Sequence, residues 1–230
     1  MSGMTTITYI ITREDGRECR FDVDIERPSR MGEQNDENHP DWTHLGCHQC
    51  PNCPFDSSDY LYCPVAIEIA EIAHHFANTT SIERTDVWVH TDDRSFFKNV
   101  DMQSALRSLF GLIMASGPCP ILSRLKPLAH FHLPFATLQE TIHRLVGTYL
   151  ASQYILHNDG QEADWELKGI EEIYHELKPV NLHLMKRIRI AASEDANINA
   201  IQSFISIASI VEMGVDDIVE KMVPILRNGQ

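Results

Sequence analysis

Four cysteines crowd into one short stretch, Cys47-His48-Gln49-Cys50-Pro51-Asn52-Cys53 with Cys63 close behind. No other feature constrains the chain as strongly. Disulfides between cysteines three apart are strained, and a reducing compartment would keep these thiols free. The start MSGMTTITYI carries no basic segment followed by an apolar one, so nothing there reads as an export signal. Tight CxxC spacing in such a chain reads as metal ligation or redox chemistry. From Pro28 to Pro64 there is no helical periodicity, only repeated Asn, Asp, Gly, Pro and Cys. A loop of that length needs an anchor, and a bound metal would supply one.

Cys50-Pro51-Asn52-Cys53 has the spacing of a metal knuckle, in which two thiolates bind one ion and turn N–H groups stabilise the sulfur charge. Cys63 precedes a helical segment, where the helix dipole favours a thiolate, and is the natural third ligand. The fourth is open between Cys47 and His48. Zinc is the first choice of ion, because four cysteines, or three and one histidine, form its common closed structural sites. The rival is an iron–sulfur cluster, since CxxCxxC followed by Cys-Pro partly resembles bacterial ferredoxins. Failing both, the cysteines are reduced residues of a surface loop.

The remaining pattern predicts an α+β protein dominated by helices. TTITYIIT and CRFDVDI flank Asp15-Gly16, a favoured hairpin turn. Cys19 in the second of these strands reads as a small apolar filler. A second hairpin is expected over 86–100 and can pair with the first. Helices are expected over 64–78, 102–115, 121–130, 135–157, 162–177 (stopped by Pro179), 180–213 and 215–227. Together these give one domain over 1–230: a β-hairpin in 1–30, a Cys-rich metal-binding loop in 31–64 and a mostly helical 65–230 that forms a C-terminal bundle beside a small sheet. The long apolar helix 180–213 exceeds what one bundle covers, which is compatible with a homodimer.

Charge excludes partners. Lys and Arg number 19 against 33 Asp and Glu, a formal net charge of −14, which repels a phosphate backbone or an anionic membrane. No apolar run approaches a membrane span. The expectation is a cytoplasmic protein that binds neither.

Two further groups attract attention. Cys119, His130 and His132 gather a thiol and imidazoles that could make a nucleophilic or metal-assisted pocket. Against that, a lone cysteine at a helix end is commonly packed rather than reactive. Asp195 and Asn199 share a helix face with Leu184, Ile188 and Ala191; a carboxylate there needs a complement such as Arg187 or Arg144, giving either a polar network or the wall of a ligand pocket. The pairs Glu71/His74, Glu140/His143 and Glu172/His175 imitate di-iron helices. Their phase opposes it, because each glutamate sits off its helix's apolar stripe.

His48-Gln-Cys-Pro-Asn-Cys-Pro54, Cys63-Pro-Val-Ala66, Ser116-Gly117-x-Cys119-Pro120, His130-Phe-His-Leu-Pro-Phe-Ala136 and Asp195-Ala-Asn-x-Asn-Ala200 together resemble an uncharacterised family of bacterial cytoplasmic proteins, a domain of unknown function, over nearly the whole chain. The resemblance favours His48 as fourth ligand and leaves Cys47 additional. The residue between Gly117 and Cys119 departs from the family's tighter Ser-Gly-Cys-Pro. No activity comes with it. The sequence therefore supports a regulatory or interaction protein with a structural zinc site. The alternatives are a metal- or thiol-dependent enzyme around Cys119, His130 and His132, with Arg144, Arg187, Asp195 and Asn199 binding substrate, and an iron–sulfur redox protein.

Overall fold

The computed structural model describes residues 6–27, 39–212 and 214–227. The first part of the expected metal loop, residues 28–38, lies outside them. Strands β1 (Thr6–Arg13), β2 (Glu18–Asp24), β3 (Arg84–His90) and β4 (Ser95–Asp101) form one antiparallel sheet in the order β2-β1-β3-β4. The two hairpins thus pair through β1 and β3, with Tyr9 opposite Val89 and Ile11 opposite Val87. Alternation sets the faces: Ile7, Tyr9, Ile11, Val87 and Val89 are buried, while Trp88 and Phe97 stand on the opposite, open face. Gly16, at φ 81°, closes the first hairpin, a backbone conformation that costs other residues strain.

The helices are α1 (Pro64–His75), α2 (Met102–Ser116), α3 (Lys126–His130), α4 (Leu138–Asn158), α5 (Lys168–Ala191), α6 (Ala196–Glu212) and α7 (Val215–Arg227), with a 3-10 turn at Leu122–Leu125 before α3. α1 and α2 pack together, and α2 also lies against β3 and β4. α5 and α6 make the broadest helix pair, and α6 packs in turn on α2. Local chemistry fixes the starts. Asp101 accepts the Ser104 N–H at 2.9 Å to begin α2, and Thr137 with Glu140 forms a reciprocal capping box that starts α4 at Leu138 rather than 135.

The expected stop at Pro179 and the single helix 180–213 are both corrected. α5 runs straight through Pro179, and the chain breaks instead after Ala191. There the N–H groups of Ser193 and Glu194 both donate to the Ala77 carbonyl at 3.0 Å, and Ala196 N–H donates to Thr79. Tertiary hydrogen bonds outweigh the proline penalty that local sequence suggests. Two shorter helices then pack on one another. Among the described residues no helix is long and apolar enough to cross a membrane.

The loop before α1 has an anchor in the protein itself. Arg187, 1 % exposed on α5, donates to the carbonyls of Trp42 at 3.0 Å, Leu45 at 2.7 Å and His44. The loop also closes on itself, with Leu45 N–H on Leu61 and Cys63 N–H on Thr43, both at 2.8 Å.

Candidate thiol centre and adjoining cavity

Cys50, Cys53, Cys63 and Cys119 line one small pocket, walled by Val65, Ile121, Val180 and Leu184 and bordered by Arg187. About 20 Å3 of room remains between these side chains, enough for about one water. Cys63 is the residue immediately before α1, and its sulfur accepts the N–H groups of Val65 and Ala66. Cys119 repeats the arrangement ahead of the 3-10 turn, accepting from Ile121 and Leu122. Cys50 and Cys53 are joined by a turn in which Cys53 N–H donates to Cys50 at 3.0 Å.

A simple signal runs through these four. Each is followed by proline, as Cys50-Pro51, Cys53-Pro54, Cys63-Pro64 and Cys119-Pro120, whereas Cys19 and Cys47 are not. Proline fits the first helical position because it lacks the N–H that would go unused there. At Cys63 and Cys119 the next two N–H groups are the ones that face the sulfur. Cys119 lines this pocket together with Cys50, Cys53 and Cys63, while Cys47 and His48 do not. His48 is exposed, at φ 49°, and its carbonyl faces His183 Nδ1 at 3.2 Å. Cys19 lies elsewhere, its sulfur 2.8 Å from His75 Nε2.

Burial pushes the Cys50 thiol up to about 12, with Cys63 and Cys53 adding to the rise and Arg187 opposing it. Burial also raises Cys63 and Cys119. Thiols so raised are protonated near neutrality and are poor nucleophiles. Among the described residues no group of three or more His, Cys, Asp or Glu side chains is gathered so that it could hold a metal ion.

Cys119 does not meet the histidines expected beside it. His130 is on the surface, 2.9 Å from Glu26, and His132 faces a different cavity. That cavity, about 410 Å3, lies between α2, α4, α5 and α6 and is within the range of small-molecule sites. His132 Nε2 is 2.5 Å from the Tyr9 hydroxyl, which is 2.7 Å from Ser108 Oγ; Ser108 in turn accepts the Phe135 N–H at 3.2 Å. Desolvation lowers His132 to about 3, with Arg144 contributing. The ring is therefore neutral, and the Phe135 N–H, Ser108, Tyr9 and His132 form one continuous hydrogen-bonded chain.

The other expected binding residues disperse. Arg144 lines the cavity and donates to the Leu128 carbonyl at 2.6 Å. Arg187 is the loop anchor at the thiol pocket. Asp195 is exposed rather than buried; its carboxylate accepts the Ser81 N–H at 2.7 Å and hydroxyl at 2.8 Å, and Asn199 donates to it at 3.0 Å. That group ties the start of α6 to the chain after α1 and forms no pocket with either arginine. Glu71, Glu140 and Glu172 are exposed, as their helical phase requires.

A family model described as a domain of unknown function, DUF6901, matches residues 7–226. The chain belongs to the DUF6901 family. No curated protein and no solved structure matches it. The DUF6901 match spans both hairpins, the thiol pocket and the cavity, so both places lie within the family's domain.

Proposed function

We propose that this DUF6901 chain is an iron–sulfur protein whose cluster is held by Cys50, Cys53, Cys63 and Cys119. The observation that carries the reading is the convergence of four Cys-Pro cysteines, from three separate chain segments, on one apolar pocket beside a buried arginine. A cluster with four thiolate ligands carries net negative charge, which Arg187 and the N–H groups aimed at Cys63 and Cys119 offset. Zinc, the first choice on spacing, holds its sulfurs at about 2.3 Å from one centre and so presses them together. The space between the thiols is about 20 Å3, so the segment carrying Cys50 and Cys53 has to open for a cluster to enter, and the four-cysteine donor set rather than the present spacing carries the choice. Four protein ligands leave no open position for substrate, so electron transfer is the favoured role over catalysis at the metal.

The test is purification without oxygen or added metal, followed by iron, sulfide and zinc analysis and a visible spectrum. Iron with equimolar sulfide and broad visible absorbance is expected, bleached by dithionite. Cys119→Ser should lose it as fully as Cys50→Ser, whereas Cys47→Ser and His48→Ala should retain it. One zinc per chain and no iron would replace the cluster with a single ion, and loss in Cys47→Ser but not Cys119→Ser would overturn the ligand set.

A further inference from the structure

The 410 Å3 cavity carries a different chemistry from the thiol pocket. Its walls are mainly aliphatic and aromatic, from Leu112, Leu125 and Leu177 to Phe204. Arg107 and Arg144 line it as well, and no Asp or Glu does among the described residues. In a chain of net charge −14, an internal space that faces two guanidinium groups and excludes every carboxylate is selective for negative charge. Neither arginine has an ion pair with a described carboxylate within contact distance. Arg144 Nε is buried with no hydrogen-bond partner, and so is the carbonyl oxygen of Asn181, a wall residue 5 % exposed. A buried donor left unpaired is unfavourable, so the Arg144 Nε–H has a use for an acceptor brought by a ligand, whereas the Asn181 oxygen, itself an acceptor, gains nothing from an anion.

We propose that this cavity binds a carboxylate with an extended apolar body, such as a medium-chain fatty acid. The carboxylate meets Arg144, whose free Nε–H supplies a charge-assisted bond, with Arg107 reinforcing the field. The apolar body lies along the leucines and Phe204. Neutral His132 is already committed through Nε2 to Tyr9, so the headgroup is left to the two arginines. An acid of this kind satisfies the orphaned donor and covers the aliphatic wall at once, which an alcohol of the same length or a short carboxylate does not.

Calorimetric titration of the full chain with decanoate, 1-decanol and acetate tests this. Decanoate is expected to bind once per chain and at least ten-fold more tightly than decanol, with no measurable acetate binding. Arg144→Gln should weaken decanoate at least ten-fold while leaving decanol unchanged, and Arg144→Lys should recover part of the loss. If Arg144→Gln fails to fold, Arg107→Gln, expected to weaken decanoate several-fold, and Ala136→Trp, which adds bulk to the cavity wall from an irregular segment, carry the same test. Equal affinity for decanoate and decanol, no saturable binding, or binding that survives both Arg144→Gln and Ala136→Trp would overturn the proposal. Because no cysteine takes part, the outcome stands apart from that of the metal analysis.

Discussion

Gly169 has no room for a side chain, because a Cβ there would lie 2.2 Å from the Tyr149 hydroxyl oxygen. That hydroxyl donates to Asp164 at 2.8 Å, and the same carboxylate oxygen accepts the Gly169 N–H at 2.8 Å. Gly169→Ala is therefore expected to cost about 1–3 kcal/mol by overpacking. Tyr149→Phe, which removes the obstructing oxygen, should make the double mutant less unstable than the sum of the singles, as measured by urea unfolding in a double-mutant cycle. His132 gives a second prediction at this scale. Its ordinary pKa is 6.5 and its folded value about 3, so between these limits the unfolded chain binds the extra proton and stability falls as pH drops. Lowering pH from 7 to 5 should remove about 2 kcal/mol through this one group. His132→Gln should lose less over the same interval, and identical losses in the two proteins would refute the assignment.

Along the elements, α5 is the part least legible in the sequence and the most informative. Pro179 reads as a stop, and only contacts far along the chain, at Ala77 and Thr79, move the break to 192–195. Arg187 was foreseen as a polar partner for Asp195, but it donates to three loop carbonyls instead. No local pattern announces a backbone carbonyl as a partner. Arg187→Leu strands those carbonyls and should cost at least about 3 kcal/mol, a fall in Tm of about 6–12 °C for a chain of this length. Hydrogen exchange should rise first at 42–45. By contrast the strands were plain to read, because alternation and Asp15-Gly16 are local signals, and so were the cysteines of 50–63. Cys119 escaped that group because spacing says nothing of a residue that arrives from the far end of α2; the proline after it was the available clue.

For the molecule as a whole, the sheet closes one side of the core and leaves Trp88 and Phe97, 42 % and 52 % exposed, on the other. Their rings lie 4.9 Å apart. The thiol pocket joins the loop before α1, α1 itself and the 119–125 segment, so loss of the proposed cluster should lower Tm and loosen all three. Comparing unfolding of the metal-loaded protein with Cys50→Ser checks this, and equal Tm values would show that the centre carries no structural role.

One helix borders both places. α5 turns Val180, Leu184 and Arg187 toward the thiols and Tyr174, Leu177 and Asn181 toward the cavity. Linkage makes any influence mutual: if a fatty acid held beside Asn181 steadies the helix and raises the affinity for the proposed cluster, the cluster must tighten the acid by the same factor. A protein so built would register the occupancy of one chamber as a change in the other, and a single titration read from either side would give the size of that exchange.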